Sequence, residues 1–145
     1  MAEFVIRAAS PLPASACFDK LVDWDAHSVA IPLTKLHHDG VARLGQRIVA
    51  CTSIGRIRFD DPMGVELLRR PAGDQPGDLP GVVEMAKLGR VIGGTVRWTV
   101  TPTVAGAEVE WTQRLVIGWL PRWLDPVVGA AGRLAYGSGL RRLLR

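Results

Sequence analysis

The chain has 145 residues, which is the length of one domain and enough to build one hydrophobic core. Its 48% hydrophobic and 22% charged residues exclude a disordered chain, and no apolar run reaches the roughly 18 residues of a membrane-spanning helix. The net charge is +4, but no helix-turn-helix or aromatic–basic motif accompanies it, so no nucleic-acid partner is predicted.

The N-terminal part predicts one strand and two short helices. Residues 3–8 are mostly β-branched or aromatic, which favours a strand, and the prolines that follow end it. A helix is predicted over residues 14–22 and a second helix or turn over 23–27, which Asp23 is placed to cap. Pro32 ends this region because proline cannot continue a helical hydrogen-bond ladder. The N-terminus lacks the pattern of a secretory signal, so a cytoplasmic protein is predicted.

The middle of the chain predicts six further strands. Apolar and polar side chains alternate most clearly in the last two, which indicates a sheet with one wet and one covered face. Turns are predicted at Asp39-Gly40, Asp60-Asp61-Pro62 and Ile92-Gly93-Gly94, and the Pro- and Gly-rich residues 71–81 form a loop. The strands are predicted over residues 33–38, 46–54, 63–70, 82–90, 95–101 and 108–117.

Residues 121–145 form the one long helix candidate. Asp125 followed by Pro126 is typical of a helix start, and arginines near the C-terminal end suit the helix dipole. An apolar stripe predicts the buried face: Leu124, Val127, Val128, Ala131, Leu134, Ala135 and Ser138. Each glycine in this helix costs about 1 kcal/mol relative to alanine. The four glycines therefore indicate close approach to the sheet or room for a ligand, or else a kinked or frayed end.

Three local patterns carry a family resemblance: the opening strand with Ser10-Pro11, the LVDW segment at residues 21–24 followed by Ile31-Pro32, and the IRFDDPM segment at residues 57–63. With the order of elements, they resemble the START-like, helix-grip superfamily (SRPBCC), in particular its bacterial polyketide cyclase/dehydrase and lipid-transport branch. The resemblance covers residues 1–145 as a single START-like domain. It implies an α+β fold in which a seven-stranded curved antiparallel sheet wraps around a long C-terminal helix, with two short helices after the first strand.

The resemblance also implies a cavity that binds a hydrophobic small molecule such as a lipid or polyketide. Because one helix does not fill a wide grip, a volume of roughly 300–1,000 Å³ is expected. One alternative is an enzyme of the polyketide cyclase/dehydratase type, in which polar cavity residues assist aldol closure and water loss. Another is a regulatory protein that acts through the basic end of its helix. No metal and no cofactor are expected.

Polar and aromatic side chains on the covered face are the predicted ligand contacts. Gln113 lies beside Trp111 on the apolar face of its strand, so its amide either bonds to the protein or faces a ligand. Lys87 points inward if it shares a face with Met85, whereas the opposite register buries Glu84; a third alternative is a rim charge with its head in water. The predicted ligand-binding residues are Trp24, Lys87, Trp98, Trp111, Gln113, Leu134 and Tyr136.

No sequence motif of a hydrolase, nucleotide-binding protein or zinc protease is present, so catalytic residues stay unassigned. The histidines are His27, His37 and His38. The last two are neighbours on a predicted strand and point to opposite faces, so they do not share a metal. One of them is expected to face the cavity as an acid or base, or else to be a sheet-face histidine satisfied by a neighbour. Both cysteines, Cys17 and Cys51, are predicted to be buried small hydrophobes.

An apolar segment precedes the long helix. Trp119 and Trp123 flank Pro121, and with their leucine neighbours Leu120 and Leu124 they predict an exposed lip at the cavity mouth. Because Arg122 lies in the same segment, the lip is predicted to touch a membrane surface transiently. The alternative is a helix entry packed on the sheet. The sequence identifies neither the ligand nor the oligomeric state.

Overall fold

A computed structural model describes residues 2–31, 33–89, 92–118 and 121–145. The described elements follow the predicted order of one strand, two short helices, six strands and one long helix. The strands are β1 (Ala2–Ser10), β2 (Thr34–His37), β3 (Arg47–Ile54), β4 (Ile57–Arg69), β5 (Gly81–Lys87), β6 (Ile92–Thr103) and β7 (Gly106–Ile117). The helices are α1 (Ala14–Leu21), α2 (Trp24–Ala30) and α3 (Asp125–Leu143), and a 3-10 turn over Arg122–Leu124 leads into α3.

The seven strands form one curved antiparallel sheet in the order β1-β7-β6-β5-β4-β3-β2. Helix α3 packs against β1 and α2, which gives the predicted helix-grip fold. Alternation in β6 and β7 places Trp98 opposite Trp111 and Val96 opposite Gln113, and all four side chains are buried. The core therefore lies on the concave face of the sheet. None of the described helices is both long and apolar enough to cross a bilayer.

Two predicted turns lie inside strands. β4 runs through Asp60-Asp61-Pro62, because the missing N–H of Pro62 faces the β5 side at Leu88, one residue beyond the end of β5. The carbonyl oxygen of Pro62 accepts from the Leu88 N–H at 2.7 Å, so its missing N–H removes at most the one reciprocal bond with Leu88, beyond the end of the β4–β5 ladder, where proline is tolerated. The Ile92-Gly93-Gly94 segment likewise belongs to β6. Gly94 keeps a turn-like φ of 123° within that strand, a conformation that favours glycine and explains the misleading pattern.

Helix α3 presents glycines to the sheet and its apolar stripe to solvent. Val127 and Leu134 are 62% and 76% exposed, so the predicted buried face is wrong. A Cβ on Gly132 would lie only 2.6 Å from Cε1 of Phe4 in β1, too close for an unshifted contact. The glycines thus allow close helix-to-sheet approach, one of the reasons that the sequence offered, and α3 is continuous over its 19 residues. Its buried residues are Gly129, Gly137, Gly139, Leu140 and Leu143.

Candidate functional site

A pocket lies between the concave face of the sheet, α2 and α3. Its walls enclose about 470 Å³ when the open mouth is included, but only about 40 Å³ is open to the centre of a water molecule. The open volume of the pocket is therefore much smaller than the expected 300–1,000 Å³, because large side chains from the sheet and helices fill the space between them.

Five rings form one wall of the pocket. His27 stacks on Trp98 with a centroid distance of 5.0 Å and an interplanar angle of 11°, while Trp24 lies 6.1 Å from Trp98. Trp98 meets Trp111 edge-on at 5.2 Å, and Trp111 contacts Tyr136 of α3 at the same distance. Because Trp98 and Trp111 are direct cross-strand partners, the sheet register itself sets this contact.

The wall carries polar groups with unused hydrogen-bonding capacity. The Trp111 indole Nε1 donates to Oε1 of Gln113 at 3.0 Å. Since an indole nitrogen only donates, the Gln113 oxygen must face Trp111 and the NH₂ group must point away from it. The amide oxygen of Gln113 is therefore bonded to the protein, which is one of the two predicted alternatives. The indole Nε1 of Trp98 is fully buried and finds no hydrogen-bond partner in the part of the chain that the structure describes.

A buried ion pair forms another part of the pocket. The Lys87 ammonium contacts Oδ2 of Asp61, and the two side chains are only 2% and 12% exposed. Lys87 shares the inward face of β5 with Met85, so the first predicted register is confirmed and the rim alternative is wrong. Asp61 Oδ1 is buried without a partner among residues 2–31, 33–89, 92–118 and 121–145. An acceptor and an indole donor thus stay unpaired in the pocket lining.

Burial sets the protonation of two pocket residues. His27 Nε2 lies 2.6 Å from the carbonyl oxygen of Leu21, and because a carbonyl only accepts, this nitrogen carries the proton. Burial lowers the pKa of His27 to about 4, so the imidazole is neutral at pH 7. Burial, followed by the negative charge of Asp61, raises the pKa of Tyr136 to about 12. Tyr136 is therefore a protonated phenol and a potential donor at neutral pH.

The pocket brings most of the predicted ligand residues together. Six of them line it: Trp24, Lys87, Trp98, Trp111, Gln113 and Tyr136. Leu134 does not, because α3 turns its glycines inward and leaves Leu134 on the outer face. Sequence reasoning missed His27 and Asp61. His27 lies three residues after Trp24 on the same face of α2, and Asp61 alternates with Met63 on β4; both spacings could have indicated them.

The adjacent histidines lie outside the pocket. His37 is exposed, and His38 follows the end of β2, where its Nε2 lies 2.8 Å from Oδ1 of Asp25. The hydrogen bond to Asp25 raises the pKa of His38. The expectation that one of the pair faces the cavity is wrong, because His37 lies on the face opposite the inward Leu36 and His38 lies beyond the end of the strand, where it contacts Asp25. His38 instead fits the other alternative, a histidine whose ring is hydrogen-bonded by a neighbouring side chain, here Asp25.

The remaining predictions concern the cysteines and the apolar lip. Cys17 and Cys51 are both buried, as predicted. Trp119 and Leu120, which form half of the predicted lip, lie outside the described residues. Trp123 is exposed, whereas Leu124 is half-buried.

Solved structures match this chain over nearly its whole length at low sequence identity, whereas no family model and no curated protein matches it. TTHA0849 from Thermus thermophilus has a TM-score of 0.75 and 14% identity, covering 97% of this chain and 93% of that one. The Zhui aromatase/cyclase from a Streptomyces species has a TM-score of 0.71 and 13% identity, covering 99% and 90%. The di-domain ARO/CYC StfQ from the steffimycin biosynthetic pathway has a TM-score of 0.68 and 17% identity, covering 99% and 49%. The chain therefore has the helix-grip fold that the sequence predicts.

Proposed function

We propose that this protein binds a flat hydrophobic small molecule in the pocket between sheet and α3, and that a ligand hydroxyl donates to Asp61 Oδ1. The observation that carries this proposal is the pair of unpaired buried polar atoms in an otherwise apolar wall. Leaving such a group unpaired costs about 1–3 kcal/mol, so a ligand that supplies the missing partner gains affinity.

The polar atoms define what the ligand must offer. Asp61 Oδ1 requires a donor, whereas the Trp98 indole and the Tyr136 hydroxyl both donate to an acceptor such as a carbonyl or ether oxygen. Lys87 already pairs with Asp61, so no anionic ligand is needed to balance it. A ligand carboxylate would instead lie beside Asp61 and be repelled. A neutral hydroxylated polyketide, or a lipid with a similar polar end, meets this description.

Binding requires the pocket to widen beyond 40 Å³. Met63 and Met85 are the lining residues best suited to move, because an unbranched thioether repacks at low cost. Tyr136 keeps part of its side chain exposed and lies on α3, outside the sheet. The cross-strand pair of Trp98 and Trp111 is held by the register of β6 and β7. The ligand therefore stacks on the fixed pair Trp98 and Trp111 while Met63, Met85 and Tyr136 move aside.

Isothermal titration calorimetry with 2-naphthol, a fused pair of rings with one hydroxyl, tests the proposal. We expect saturable binding to the wild-type protein and loss of binding in Ala50→Leu, because Ala50 lines the pocket and a longer side chain fills it. Ala135→Leu on the exposed face of α3 is the matched control and retains binding. Equal binding by the two variants, or none by the wild-type protein, overturns the proposal.

A second candidate function is catalysis of the polyketide cyclase/dehydratase type. It is favoured by the convergence of Lys87, Tyr136 and Asp61 on one pocket, which offers two donors for an enolate oxygen and a carboxylate that accepts a proton. Such general acid–base assistance is typically worth 10²–10⁴-fold in rate. Replacement of Lys87 by Met and of Tyr136 by Phe should each lower turnover of a poly-β-ketone substrate by about 10²–10⁴-fold. Unchanged rates in variants that remain folded exclude these residues from the chemistry.

A further inference from the structure

Helix α3 turns an apolar stripe to solvent. Val127 and Leu134 project about 20° apart on the helix and are both largely exposed. Trp123, in the turn that leads into α3, is 75% exposed. The alanines between them, Ala130 and Ala131, are exposed as well. We call these five residues the outer stripe, and no other described residue of the chain buries them.

The same segment carries the whole net charge of the protein. Residues 121–145 contain five arginines and one aspartate, whereas residues 1–120 contain 13 basic and 13 acidic residues. The net charge of +4 therefore comes from the last 25 residues alone. All five arginines are exposed: Arg122, Arg133, Arg141, Arg142 and Arg145. Cations thus accompany the outer stripe along its length and beyond its C-terminal end.

We propose that the outer stripe docks on an anionic lipid bilayer, with α3 lying in the plane of the headgroups. Apolar side chains enter the boundary between headgroups and acyl chains, while the flanking arginines meet the anionic headgroups. Trp123 suits this depth, because an indole combines an apolar body with a polar tip.

The charge distribution favours a membrane over a second copy of this chain. Two outer stripes packed face to face would bring two sets of five arginines together, and residues 1–120 have no net negative charge to offset them. Like-charge contacts of this kind suppress association. An anionic bilayer supplies the opposite charge. The docking does not depend on an occupied pocket, although the buried face of the same helix carries Tyr136 to the pocket wall.

Vesicle flotation tests the surface. We expect the wild-type protein to float with vesicles of phosphatidylcholine mixed with phosphatidylglycerol, and not with phosphatidylcholine alone. Leu134→Glu places a negative charge in the outer stripe and should lower the partition coefficient at least tenfold. Trp123→Ser should lower it by a smaller factor. Val104→Glu, an exposed valine at the β6–β7 turn, is the matched control and should leave partitioning unchanged.

Equal partitioning onto both kinds of vesicle, or equal partitioning by Leu134→Glu and Val104→Glu, overturns the proposal. Sedimentation of a dimer that Leu134→Glu dissociates assigns the outer stripe to a second copy and overturns it as well. The changed side chains are exposed, so the variants should unfold at the wild-type urea concentration. They should also bind 2-naphthol as before, which separates failure of this surface from failure of the pocket.

Discussion

The sheet and helix α3 build the pocket by opposite means. The sheet projects long side chains inward on a fixed register, including the edge-to-face pair Trp98 and Trp111 and the Lys87–Asp61 ion pair. Helix α3 brings its backbone close through glycines and contributes Tyr136, while Val127 and Leu134 face outward. The chemistry of the pocket therefore resides mainly in the sheet. The helix acts as a thin cover, which leaves its other face free for a different partner.

The largest expected effect on stability comes from the buried ion pair in the sheet. Lys87→Met leaves the Asp61 carboxylate buried without its cation, which should lower the free energy of unfolding by about 3–5 kcal/mol. Urea unfolding at pH 7 measures this loss. Arg7→Met breaks the exposed pair with Glu110 and is the matched control, for which less than about 1 kcal/mol is expected.

The double variant Lys87→Met/Asp61→Leu sharpens the same point. It removes both charges, so it should recover most of the stability that Lys87→Met loses. A cost for Lys87→Met no larger than that of Arg7→Met would show that water reaches the pair, and the contrast between sheet and helix would then fail.

Two glycine substitutions test whether α3 needs glycine for its close approach to β1. Gly132→Ala forces a methyl group against the Phe4 ring and should cost about 1–3 kcal/mol despite the better helix propensity of alanine. Gly137→Ala meets only ordinary contacts, the closest at 3.6 Å, and should gain about 0.5–1 kcal/mol. Thermal unfolding ranks the two variants against the wild-type protein. If both gain stability, α3 does not depend on glycine for its approach to β1.

The third expected effect is a pH-dependent loss of stability that arises from His27 in α2. Since burial lowers the pKa of His27 from 6.5 to about 4, the unfolded chain takes up a proton in this interval that the folded chain refuses. The pKa shift of His27 therefore does not lower the free energy of unfolding above pH 7. The free energy of unfolding falls as the pH drops from 6.5 toward 4. Between pH 7 and pH 5 the loss is about 2 kcal/mol.

The matched variant for this effect is His27→Gln, which lacks the titrating ring and should show a flatter profile. Urea midpoints at pH 7 and pH 5 measure the difference between the two proteins, and His38, whose pKa shifts upward, is common to both. Parallel profiles would mean that His27 titrates in the folded protein as it does in the unfolded chain.

Strand positions were predictable because alternation is local. The inward placement of Trp98, Trp111 and Gln113 follows from their own neighbours in sequence. Asp61 was not predicted, because Asp-Asp-Pro is a local turn pattern that pairing with β3 and β5 overrides. The buried face of α3 was not predicted either. The steric fit of glycines against Phe4 determines which face of α3 is buried, and the apolar pattern in the sequence does not indicate that fit.

The narrowness of the pocket could not be predicted from the order of elements. It depends on how five rings pack between sheet and helices, and small changes in their packing alter the open space. The sequence pattern identifies most of the aromatic residues. It does not determine the distances between their rings.

The most direct test of the central claim compares 2-naphthol with 2-methoxynaphthalene, which has the same rings but no hydroxyl to donate to Asp61. The wild-type protein should prefer 2-naphthol by roughly tenfold to a hundredfold, the range of a hydrogen bond to a charged group. Asp61→Asn, checked for folding by circular dichroism, should lose most of that preference. Equal affinity of the wild-type protein for the two compounds would contradict a ligand-facing role for Asp61.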